Sequence, residues 1–132
     1  MMESMIPMTL AIVDDDDDVR RALSRLLRSM GHEVRVFASA EAFHADTVVA
    51  DCVIVDVRLP GQNGLELREH LLGRIVPTPV VLITGDGDRL AVDTPRAVDT
   101  PLVTKPFDDA VLAAAIASAI SLARPRGELH EP

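Results

Sequence analysis

The sequence predicts an α/β fold, a doubly wound five-stranded parallel sheet. Two observations carry that prediction. Five short β-rich runs alternate with segments of helical periodicity along 132 residues, one domain's length. Apolar runs among them without strict in–out alternation, such as CVIV and VVLI, fit strands covered on both faces. The order β-α-β-α-β-α-β-α-β-α then implies right-handed crossovers with helices on both sides.

Each element has its own signal. The first strand is expected over residues 8–13 (MTLAIV). Val19, Ala22, Leu23, Leu26, Leu27 and Met30 come next at the spacing of one helix face, and Gly31 stops that helix. The second strand is expected over 33–37 and a short helix over 40–45. The third strand, 52–55 (CVIV), precedes a helix over 64–72, and the fourth is 80–83 (VVLI). The fifth, 102–104, is the weakest run. The last helix is expected over 108–123, between Pro106 and Pro125.

Between the fourth and fifth strands the pattern fails. Val-Asp-Thr-Pro occurs twice there, and Pro95 inside a helix would cost about 3 kcal/mol. A short or broken fourth helix, ending at or before Thr94, is expected.

Composition narrows the function. Only three residues are aromatic, all Phe, so Val, Leu, Ile, Ala and Met must build the core. Thirteen basic residues against 21 acidic ones give a formal charge of −8. That surface repels nucleic acid, so direct nucleic-acid binding is not expected. A single cysteine, Cys52, excludes an internal disulfide framework and is read as a core residue. Residues 1–7 contain Glu3 and no basic side chain, so they read as an N-terminal extension and not a signal peptide. No apolar run approaches the roughly 20 residues of a membrane span, and a cytoplasmic location is expected. The four histidines, His32, His44, His70 and His130, lack metal-ligand spacing and are read as surface residues.

In doubly wound sheets, ligands sit beyond the carboxyl ends of the strands. The run Asp14–Asp18 comes after the first strand and Asp56 after the third. Thr84 and Gly85 come after the fourth, and Lys105 and Pro106 after the fifth. Carboxylates, a hydroxyl and a lysine are thus expected at one sheet edge. Mg²⁺ takes hard oxygen ligands and keeps several waters, so a few protein oxygens suffice. A carboxylate nucleophile can form an aspartyl-phosphate, and phosphoryl transfer needs mainly positioning and charge neutralisation. Asp17 and Asp18 are read as helix-capping, dipole-favouring residues.

Val13-Asp14-Asp15, the Asp56–Leu67 run (DVRLPGQNGLEL), Ile83-Thr84-Gly85 and Lys105-Pro106-Phe107 together resemble a bacterial response-regulator receiver domain. The chain is further similar to the receivers of nitrogen-fixation-type regulators. The resemblance covers about residues 8–122 and implies a (βα)5 flavodoxin-like fold. It implies that Asp56 takes a phosphoryl group from a histidine kinase or phosphotransfer protein. It also implies that Asp15 binds Mg²⁺ directly, Asp14 mostly through water, and Asp56 and the Arg58 carbonyl complete the metal ligands. Thr84 and the Gly85 N–H would hold phosphoryl oxygens, Lys105 would pair with their charge, and the Lys105–Pro106 bond would be cis. The domain is expected over 8–123, with 124–132 a flexible tail.

Two features depart from that family. One is the Pro95 segment. The other is Leu102, where the family usually has an aromatic residue whose rotation tracks phosphorylation. Leucine can change rotamer but has no ring to swing between pocket and solvent. Residues 110–123 carry no charged side chain. That face is either a partner interface or merely a small, helix-favouring surface. Expected partners are the phosphodonor, a downstream protein on the last-helix face, and a weak homodimer.

Two other readings compete. A phosphorylation-independent interaction module is motivated by Leu102 and the altered fourth-helix region. A phosphohydrolase with an aspartyl intermediate would usually need a second Asp two residues after the nucleophile, where Arg58 stands.

Overall fold

Alternation within each strand decides which helical layer it supports. The computed structural model describes residues 6–47, 49–59, 63–85 and 100–123. Its elements are β1 (Thr9–Val13), α1 (Asp17–Ser29), β2 (Glu33–Phe37), α2 (Ala40–Ala45), β3 (Cys52–Asp56), α3 (Gly64–Leu72), β4 (Val80–Thr84), β5 (Leu102–Thr104) and α4 (Asp109–Ala123). The five strands form one parallel sheet in the order β2-β1-β3-β4-β5.

Leu10, Ile12, Cys52, Ile54, Val81 and Ile83 pack with Leu23 and Leu27 of α1 and Leu112 and Ile116 of α4. The alternate residues Ala11, Val13, Val53, Val55 and Leu82 pack with Phe43 of α2 and Leu67 and Leu71 of α3. Two cores therefore sandwich the sheet, which is why β3 and β4 are buried along their whole length. Full burial of each such leucine is worth about 1.5–3 kcal/mol relative to exposure.

The helix ends obey local chemistry. Asp16, not Asp17 or Asp18, caps α1, its carboxylate accepting from the N–H groups of Asp18 and Val19. Asp17 and Asp18 occupy the first turn, where their charge suits the dipole, and pair with Arg20 and Arg21. Gly31 has φ 95°, the left-handed conformation that a chain leaving a helix often needs. Asn63 and Glu66 form a reciprocal capping box at the start of α3.

The structure corrects some boundaries. Met8 precedes β1, Asp56 and Thr84 lie inside their strands as last residues, and Asp108 precedes α4. His32 is not a surface residue. It is 4% exposed, and its Nδ1 accepts the Met8 N–H at 3.1 Å. His44 and His70 are exposed as expected. The expectations for the fourth helix, His130 and the 124–132 tail fall outside the described residues.

Candidate functional site

Parallel register puts the strand ends side by side. Val13 pairs with Val55, Asp56 with Ile83, and Thr84 with Thr104. The ladder continues past the strands, with Asp14 N–H donating to Phe37 O, Val57 N–H to Ile83 O and Lys105 N–H to Thr84 O. Asp14, Asp56, Thr84 and Lys105 are thereby fixed by backbone bonds at one edge of the sheet.

Asp56 is 5% exposed at the end of the central strand. One carboxylate oxygen accepts the Arg58 N–H at 2.9 Å. The other accepts from Lys105 Nζ at 3.1 Å. Asp14 is fully buried, and its Oδ1 accepts the Asp16 N–H at 2.8 Å. Among the described residues its Oδ2 has no hydrogen-bond partner, and it lies 3.6 Å from Lys105 Nζ. Exposed Asp15 completes the acidic group: Asp14, Asp15 and Asp56 each offer an oxygen within 4.8 Å of the others.

Burial raises the Asp14 carboxyl from 3.8 to about 6. The Asp16 N–H opposes that shift, Asp56 repulsion adds to it, and Lys105 attraction again opposes it. Burial alone would lower Lys105, but the hydrogen bond to Asp56 and the charges of Asp14, Asp56 and Asp16 outweigh it and raise the ammonium group's pKa. Lys105 therefore stays charged beside carboxylates that repel one another. A half-buried set of three carboxylates, one with an orphaned oxygen, fits a hard divalent cation.

Thr84 is fully buried, and its hydroxyl donates to the Gly85 carbonyl at 3.1 Å. The Lys105–Pro106 peptide is cis. Leu102 packs against the α2/α3 core. Cys52 lies in the other core, where burial pushes its thiol up to about 12, so it is inert at neutral pH.

Two supporting residues escape a reading of the sequence alone. Arg20, one turn into α1, donates from Nη1 to the Asp14 carbonyl at 2.6 Å and pairs with Asp17. Gly64 opens α3 directly against the Asp56 backbone and donates its N–H to Val57 O at 3.0 Å. A glycine at the first position of a helix is the signal for such close approach.

The family model described as "Response regulator receiver domain" matches residues 10–117. The chain is 40% identical over 123 residues to the transcriptional regulatory protein FixJ of Azorhizobium caulinodans, covering 91% of this chain and 58% of that protein. It is 41% identical over 115 residues to the response regulator protein TmoT of Ectopseudomonas mendocina, covering 85% of this chain and 52% of that one. Among solved structures, full-length FixJ from B. japonicum superposes with a TM-score of 0.79 at 35% identity, covering 94% of this chain and 63% of that one. The chain thus spans little more than half the length of these curated relatives.

Proposed function

The chain belongs to the response regulator receiver domains, signalling units of two-component systems, and we propose that it receives its signal as a phosphoryl group on Asp56. The observation that carries this is the Asp56 carboxylate itself, nearly buried between Lys105 and the Asp14–Asp15 pair.

An Asp56 oxygen attacks the phosphorus of a phosphohistidine on a sensor kinase or phosphotransfer protein. The new P–O bond forms as the P–N bond breaks, and the departing imidazole keeps the electron pair. The product is an acyl phosphate on Asp56. Lys105, already against the carboxylate, pairs with the added charge. The Thr84 hydroxyl exchanges the Gly85 carbonyl for a phosphoryl oxygen, and the Gly85 N–H supports it. Receiver domains bind Mg²⁺ at an acidic pocket. Here Asp14, Asp15, Asp56 and the Arg58 carbonyl would hold it, and it would supply neutralising charge.

The receiver unit runs from 8 to 123. It promotes its own phosphorylation and dephosphorylation and turns over no metabolite. The phosphodonor docks beside α1, and the downstream protein binds the uncharged face of α4, where Val111 and Leu122 are exposed. Switching biases a two-state equilibrium, with Leu102 taking the place of the family's mobile ring.

Borohydride reduction after treatment with acetyl phosphate and Mg²⁺ locates the acceptor, because it converts an aspartyl-phosphate to homoserine. Peptide mapping should find homoserine at position 56. Homoserine at another aspartate would refute the assignment.

A further inference from the structure

On the flank of the sheet, away from the aspartates, His44 in the last turn of α2 meets His70 in the last turn of α3. Both side chains are exposed, yet the ring centroids lie only 4.9 Å apart, edge to face at 83°. The two helices pack through Phe43, Leu67 and Leu71 onto the same face of the sheet. That shared core fixes the helix ends that carry the two imidazoles relative to each other.

We propose that His44 and His70 form a two-imidazole site for a late first-row divalent ion of the nickel, copper and zinc class. Neutral imidazole is the commonest protein ligand for such ions. With a metal–nitrogen bond of about 2.0–2.1 Å, the centre of a bound ring lies roughly 3.2 Å from the ion. Two rings 4.9 Å apart then subtend roughly 100° at the ion, between the square-planar and tetrahedral angles. The torsion that turns each ring has broad wells, so one nitrogen from each can face a common point without moving a helix. Water fills the remaining positions. Magnesium, which prefers hard oxygen ligands, does not compete here. An ion held by both rings would tie α2 to α3, the helix that begins against Asp56.

The test is thermal unfolding of the untagged chain at slightly alkaline pH, with Ni²⁺ titrated against saturating Mg²⁺. Wild type, His44→Asn, His70→Asn and His130→Asn are compared. At a hundredfold excess over Kd, Ni²⁺ should raise the wild-type and His130→Asn midpoints by roughly 5 °C or more beyond the two other variants. Mg²⁺ alone should shift all four proteins alike, showing an intact acidic pocket in each. Equal Ni²⁺ shifts in wild type, His44→Asn and His70→Asn would place the ion elsewhere and overturn the proposal. So would the absence of any Ni²⁺ shift in wild type.

Discussion

Gly64 leans on the backbone of Asp56. A Cβ added to Gly64 would fall 2.2 Å from the Asp56 carbonyl oxygen and 2.8 Å from the Val57 Cα. Both are main-chain atoms, pinned by the Val57 N–H bond to Ile83 O and the Gly64 N–H bond to Val57 O. Neither can yield without moving the strand end that carries the Asp56 carboxylate. Gly64→Ala is therefore expected to cost about 1–3 kcal/mol in urea unfolding. Its acetyl-phosphate labelling should fall more than that of Gly73→Ala, whose Cβ would meet the Glu69 carbonyl at 3.0 Å and the His70 carbonyl at 3.8 Å, both within its own helix. Equal labelling of the two variants would mean that the Asp56 backbone tolerates the displacement.

Asp14 is the site's energetic cost in the absence of metal. Its folded pKa of about 6 lies above the usual 3.8. Between those values the folded chain binds a proton that the unfolded chain does not. Its contribution to stability therefore rises as pH falls through about 6, and the ionised form at neutral pH is destabilising. The shift corresponds to roughly 2–3 kcal/mol. Asp14→Asn should therefore stabilise the protein by about 1–3 kcal/mol in EDTA at neutral pH. It should weaken Mg²⁺ binding, and wild-type Mg²⁺ affinity should drop as pH falls below about 6. Urea midpoints in EDTA and in Mg²⁺ check both signs; a destabilised variant in EDTA would contradict the burial account.

His32 works in the opposite direction. Burial lowers its pKa below the ordinary 6.5. Its Nδ1 accepts the Met8 N–H, an acceptor that protonation removes. As pH falls through 6.5 the unfolded chain takes up the proton first, so stability is lost. His32→Gln should flatten that part of the pH–stability curve measured by urea unfolding. An unchanged slope would show that other groups set it.

Much of the site is legible in the sequence because strand ends and chemistry coincide. Unbroken apolar runs such as Cys52–Val55 mark buried strands, and in a parallel sheet the residues just past their carboxyl ends must gather at one edge. Asp14, Asp15, Asp56, Thr84 and Lys105 are identifiable on that ground, and the structure brings Asp14, Asp15, Asp56 and Lys105 into one cluster with Thr84 on the neighbouring strand end. The capping aspartate is not separable in the sequence, where five consecutive carboxylates compete; in the structure Asp14 continues the strand ladder to Phe37 and Asp16 takes the cap. Burial of His32 depends on the β1 terminus crossing over it, a contact 24 residues away. Arg68 is hidden although the helical pattern contains it. Gly64, Leu67, Arg68 and Leu71 share one buried helix face, and Arg68 reaches the Thr100 hydroxyl at 3.0 Å. A charged residue at a core position is easily read as surface, because its buried partners are distant in sequence.

Phosphoryl acceptance by Asp56 is open to a direct check. Intact-protein mass spectrometry after incubation with acetyl phosphate and Mg²⁺, comparing wild type with Asp56→Asn, tests it most directly. A single phosphoryl adduct is expected on wild type, lost with EDTA, and none on the variant. An equal adduct on Asp56→Asn would contradict it, as would no adduct on wild type from either acetyl phosphate or a phosphorylated histidine kinase.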